Sequence, residues 1–151
     1  MKYGNKPVWV AASGETFESV SITPKQWKEK GGMWFASKLE YKTYIGIQAF
    51  CNKAKLRCEI DHQHSFFLIG STSQSKVIDW NIDFQVYFYK LGITSPIDYL
   101  YIESKGVELP EYKLKRDLMA ILHPNEFAKL VVIKNHNQID DLLYTKLQRY
   151  L

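Results

Sequence analysis

The stretch DWNIDFQVY, residues 79–87, alternates apolar and polar side chains without a break. In an extended strand, residues two apart share a face. Trp80, Ile82, Phe84 and Val86 therefore take one face, and Asp79, Asn81, Asp83 and Gln85 take the other. Such a strand belongs in a sheet that packs one side on a core, so the surrounding chain must supply partner strands and covering helices.

The flanking sequence supplies both. A long helix is expected from about Ser37 to Arg57, where Ala36, Leu39, Glu40, Thr43, Ile47, Phe50 and Ala54 recur at helical spacing. Gly46 inside it is unfavourable by roughly 1 kcal/mol relative to alanine, which marks a close backbone approach. Strands are expected near 59–69 and 77–89, joined through the polar loop GSTSQSK, and a third at DYLYIES. A helix over 111–122, a strand KLVVIK and a final helix over 140–150 follow. Upstream lie a strand-like run, PVWVAAS, and a short helix PKQWKEK that opens after a Thr23-Pro24 cap and stops at Gly31-Gly32. The order is α-β-β-β-α-β-α: an antiparallel meander, then a parallel strand–helix–strand crossover, giving a mixed α/β (α+β) sheet. With 46% hydrophobic residues the chain can bury a real core, and no repeat or linker divides it. One domain over 1–151 is expected, with an N-terminal extension (1–33), a core (34–134) and a C-terminal helix (135–151). No apolar run approaches the ~18 residues that a membrane span needs, and no signal-peptide pattern opens the chain, so a soluble, cytoplasmic protein is expected. Cys51 and Cys58 have no second pair to complete a zinc site.

The charged positions carry the functional reading. Along YLYIESK, Leu100 and Ile102 point one way, while Glu103 and Lys105 point together the other way. If the second and third strands are neighbours, Asp83 and Glu103 converge, and Glu40 in the first turn of the long helix can reach the same point. Mg²⁺ favours oxygen ligands and is usually held by one or two carboxylates, waters and a substrate phosphate. Glutamate-x-lysine alone says little, because Glu40-Lys42 and Glu111-Lys113 repeat it. Only Glu103-Lys105 follows an apolar strand and precedes a glycine.

These residues, in this order, resemble the PD-(D/E)xK nuclease superfamily over residues 34–134. FASKLEYKTYIGI is similar to its opening helix, EIDHQHSFFL to its next strand, NIDFQVY to the strand with the metal-binding aspartate, and YIESKG to the glutamate–lysine strand. The resemblance implies a restriction-endonuclease-like core. It also implies Mg²⁺ (or Mn²⁺ in its place) held by Glu40, Asp83, Glu103 and the Ser104 carbonyl. Lys105 would attend the attacking water, and Gln63 would be a further site residue. The implied activity is metal-dependent cleavage of DNA, as in phage junction-resolving enzymes, endonuclease subunits of Tn7-type transposases and small homing endonucleases. The family's proline before the aspartate is Ile82 here. Duplex cleavage implies a homodimer or higher oligomer, since one site cuts one strand.

Plainer roles compete at each position. Ser37-x-x-Glu40 is also a capping box, with Glu40 returning to the Ser37 amide. Asp83 also suits a solvated strand, and Glu103/Lys105 a surface pair. His62 and His64, in DHQH, read as packing or polar residues on one strand face rather than as a His-Asn-His nuclease centre. Lys113, Lys115 and Arg116, with Lys25, Lys28 and Lys30, are candidates for phosphate contacts that position DNA without reading bases. The net charge of +4 permits such a partner without requiring it. Trp34, Tyr99 and Tyr101 read as core aromatics. A non-enzymatic DNA-binding or assembly domain built on the same fold is the alternative function.

Overall fold

The structure, a computed structural model, describes residues 6–18, 25, 31–69 and 78–151. The loop at 70–76 lies outside these residues, as does the helix expected over 24–30 apart from Lys25, and with it Lys28 and Lys30.

Two sheets form. In the smaller, β1 (Val8–Val10) pairs antiparallel with both β2 (Thr16–Phe17) and β3 (Met33–Phe35). The larger has the order β4 (Leu56–Ile69), β5 (Ile78–Lys90), β6 (Asp98–Ser104) and β7 (Leu130–Ile133). The first three strands run antiparallel, and β7 lies parallel to β6. The mixed sheet expected from the sequence is present, and β6 has the bounds of DYLYIES.

Helix α1 (Lys38–Lys53) precedes β4; α2 (Pro110–Leu122) and the short α3 (Pro124–Phe127) link β6 to β7; α4 (Ile139–Leu147) follows β7. Helix α1 is shorter than the 37–57 expected. It stops because Lys55 takes a left-handed backbone (φ 55°), and the chain is in β4 by Leu56. Proline sits at the first position of α2, where its missing N–H costs nothing.

Two apolar clusters cover the large sheet. One gathers Phe35, Ile47, Phe50, Phe84, Ile102 and Leu143 around α1 and α4. The other gathers Phe66, Trp80, Ile82, Tyr101, Tyr112 and Met119 beneath α2. Leu100 and Ile102 belong to the first, and Tyr99 and Tyr101 pack with the second, so the clusters lie on opposite faces of β6. The small sheet joins the first cluster through Val8 and Phe35, so this N-terminal segment shares the core of the rest.

Gly46 meets the close approach expected of it. A Cβ there would stand 2.5 Å from Cδ1 of Ile139, at the start of α4.

The alternation of β4 and β5 differs from the expectation at one level. Phe84 and Val86 pack in the first cluster, but Trp80 and Ile82 pack in the second. On β4, His62 contacts Phe35, Tyr44 and Phe84, whereas His64 contacts Phe66 and Tyr101. The two histidines therefore do not share a face. The cause sits between them: Gln63 has a left-handed backbone (φ 57°), which interrupts the period of two. Since His62 pairs with Phe84 and His64 with Ile82, Gln63 lies opposite Asp83.

Candidate active site

The pairing of β5 with β6 runs from Phe88–Asp98 to Phe84–Ile102 and ends there. One step further, the register would place Asp83 opposite Glu103. Two bonds to side chains take over at that step. The Asp83 N–H donates to Glu103 Oε2 at 3.2 Å, and the Ser104 N–H donates to Asp83 Oδ2 at 2.8 Å. Each carboxylate thus satisfies a backbone donor that the parting strands would otherwise leave buried and unpaired. Meanwhile β6 stays on β7: Glu103 pairs with Val132, Ser104 with Ile133, and the Lys105 N–H reaches the Ile133 carbonyl at 2.8 Å.

Asp83 is 8% exposed and Glu103 2%, far less than solvated strand residues would be. Two buried carboxylates side by side are costly unless a cation or hydrogen bonds offset their charge. Each accepts a backbone hydrogen bond, and both are hard oxygen donors of the kind Mg²⁺ takes in ones or twos. The donor set fits such an ion.

Glu40 is also buried, at 4% exposure, on the helix that covers the other face. Its Oε2 accepts the Ala36 N–H at 2.9 Å, and Ser37 Oγ accepts the Glu40 N–H at 3.1 Å. Only the Ser37 half of the expected capping box is seen, and the Glu40 carboxylate accepts from the Ala36 amide, one residue before the cap. One turn on, Thr43 links α1 to the end of β6, where Ser104 Oγ bonds Thr43 Oγ1 at 3.0 Å. Among the described residues, no group of three or more His, Cys, Asp and Glu side chains is arranged to hold a metal ion. The structure brings Asp83 and Glu103 together and does not gather Glu40 with them into such a group.

Lys105 follows Glu103 by two residues, and its ammonium lies over the Tyr112 ring, 5.0 Å from the centroid. Tyr112 also meets Trp80 edge-on at 5.5 Å and has the Arg116 guanidinium 5.8 Å from its ring centre. Burial first, and the Glu103 charge second, raise the Tyr112 phenol above its ordinary range. Tyr112 was not among the expected site residues. Its only sequence signal is its place between Glu111 and Lys113, a triplet that reads as helical surface.

The remaining candidates sit further out. Gln63 is exposed, opposite Asp83. Lys113 is exposed, Lys115 pairs with Glu111 at 3.4 Å, and Arg116 pairs with Glu108 at 3.2 Å. Glu108 also receives Lys134 at 3.4 Å, which braces the segment after β6. Of the aromatics, Tyr101 is buried beneath α2, while Trp34 and Tyr99 are half-buried.

Among the described residues, no helix is long and apolar enough to cross a membrane. No family model, curated protein or solved structure matches the chain.

Proposed function

We propose that the chain is a metal-dependent endodeoxyribonuclease of the PD-(D/E)xK kind, cutting DNA by attack of water on phosphorus. The observation that carries this reading is the buried Asp83–Glu103 pair where β5 leaves β6, with Lys105 just past the end of β6. Asp83 and Glu103 are the ligands for Mg²⁺, with the Ser104 carbonyl and Glu40 as further candidates. The ion supplies a water of lowered pKa and charge neutralisation at the phosphate. Lys105 contributes a point charge that orients the water or the phosphate oxygen. The buried setting strengthens these interactions, because water screens them less than at a surface. Lys113, Lys115 and Arg116 contact phosphates on the approaching strand and set its register. A second copy of the chain supplies the other cut in a duplex.

The test incubates the protein with supercoiled plasmid and with a four-way junction, each with and without Mg²⁺. Asp83→Ala and Lys105→Ala run beside the wild type. Metal-dependent cutting that both substitutions abolish supports the reading. A preference for the junction marks a resolvase, and cutting at one rare sequence marks a homing enzyme. Absence of cutting on both substrates would falsify the enzymatic reading.

A non-enzymatic DNA-binding or assembly module is the second reading. The engagement of Glu40 with the Ala36 amide, and the absence of a three-ligand group among the described residues, favour it. It requires DNA binding without cleavage.

A further inference from the structure

Among the described residues, the Tyr112 hydroxyl is the one buried side-chain polar atom with no hydrogen-bond partner. A buried hydroxyl without a partner is destabilising, and phenylalanine would avoid that cost with the same ring. Tyr112 is 4% exposed, so water does not satisfy it from the surface. Its neighbours explain the ring but not the oxygen. Trp80 packs against the ring edge-on, and the ammonium of Lys105 rests over its face. Arg116 approaches from α2 itself and bonds Glu108; a guanidinium only donates, so even its approach to the phenol oxygen leaves the Tyr112 O–H without an acceptor.

The position is informative. Tyr99 and Tyr101 pack with the cluster under α2, and Glu103 and Lys105 continue the same face of β6. The Tyr112 ring belongs to that cluster, so it lies on the face that carries the glutamate and the lysine. The Glu103 charge also raises the phenol's pKa, in keeping with that placement. In the structure, Glu103 Oε2 is engaged by the Asp83 amide. A cation held by the two carboxylates would compete for that oxygen.

We propose that Tyr112 is a positioning residue of the carboxylate site, with two tasks. Its ring face holds the Lys105 ammonium in place. Its hydroxyl is a donor held in reserve, which bonds the Glu103 carboxylate when a divalent cation draws that carboxylate from the Asp83 amide. Donors behind a ligating carboxylate fix its orientation, and their loss typically weakens metal binding 10–100-fold. The inference rests on the metal site proposed above.

The test uses Tyr112→Phe, which keeps the ring and removes the oxygen. Thermal unfolding without metal and Mn²⁺ binding followed by electron paramagnetic resonance are measured on the wild type and the variant. The expected result is an unchanged or raised Tm without metal, together with Mn²⁺ binding weakened about tenfold. A lowered Tm would show that the hydroxyl has a partner before metal arrives, and would overturn the proposal. Equal Mn²⁺ affinity in the two proteins would also overturn it, and so would a wild type that binds no Mn²⁺. Plasmid cleavage in Mg²⁺ separates the two claims. A wild type that binds Mn²⁺ without cutting refutes the nuclease, while the binding comparison still decides the role of Tyr112. Wild-type cutting with equal Mn²⁺ affinity in both proteins refutes the role of Tyr112 alone.

Discussion

Asp83 and Glu103 each occupy a backbone site that the sheet vacates: the Asp83 amide donates to Glu103, and Asp83 accepts from the Ser104 amide. This exchange lets β5 part from β6 without leaving a buried donor unpaired. It also sets two carboxylates side by side in a site sheltered from water. An ordinary sheet would continue its ladder here, so the arrangement gives up regular pairing for a concentration of negative charge.

Asp83→Asn tests that trade. Asparagine still accepts from the Ser104 amide but removes one of two adjacent negative charges. The variant is expected to be as stable as the wild type or more so, by about 1 kcal/mol in metal-free buffer. For a chain of this size that corresponds to a Tm increase of about 2–4 °C. Calorimetry in EDTA gives the answer, and a clear loss of stability would mean that the charge itself holds the strands.

Glu40 has two candidate roles that substitution separates. Ser37→Ala removes the cap acceptor and should cost about 1 kcal/mol, seen in urea unfolding. Glu40→Gln retains an acceptor for the Ala36 amide and should cost less than half of that. If Glu40 also serves the metal, the same Glu40→Gln protein loses Mg²⁺-dependent cleavage by tenfold or more. A variant of normal stability and normal cleavage confines Glu40 to capping.

Gly46→Ala sets helix propensity against packing. Alanine favours α1 by roughly 1 kcal/mol, but its Cβ would stand 2.5 Å from Ile139 Cδ1 in the packed core. Overpacking typically costs 1–3 kcal/mol, so a net loss of about 1 kcal/mol is expected. Ile139→Val removes the clashing methyl and should recover most of that loss in the double variant. Chemical denaturation of the four proteins of the cycle measures the coupling.

Asp98 anchors the start of β6 and gives the fold an acid-sensitive joint. Burial would raise its pKa, but Lys129, the Tyr99 amide at 2.8 Å and Arg149 at 3.3 Å together hold it below the ordinary value. A depressed folded-state pKa contributes stability that is full above the unfolded value of about 3.9. That contribution fades as the pH falls through the lower folded value. Asp98→Asn is expected to cost about 2 kcal/mol at pH 7, as loss of hydrogen bonds to a charged group does. The gap between variant and wild type should narrow as the pH falls below about 3.9 and close once it is below the folded value, followed by thermal unfolding across the pH range.

The Asp83–Glu103 adjacency is legible in the sequence because β5 and β6 follow one another in the chain and pair as antiparallel neighbours, even though the period of two in β5 turns over between Ile82 and Phe84. DYLYIES is bounded by Pro96 and Gly106, and its ends fall where expected. Strands β2 and β3 are two and three residues long, too short for a period to show. The turn of the alternation at Gln63 is hidden for a different reason. A left-handed backbone usually announces itself by glycine or asparagine, and glutamine gives no such signal. The parting of β5 from β6 depends on tertiary placement, as does the site of Tyr112, whose helix comes after the strand it covers. Residue type and spacing alone therefore name the two carboxylates but not the tyrosine under the Lys105 ammonium.

The most direct measurement is nicking of supercoiled plasmid over a Mg²⁺ titration, by the wild type and by Asp83→Asn of equal folded content. The account predicts nicking that rises with Mg²⁺ in the wild type and falls by at least a hundredfold in the variant. Nicking that is equal in the two proteins, or independent of Mg²⁺, would contradict it.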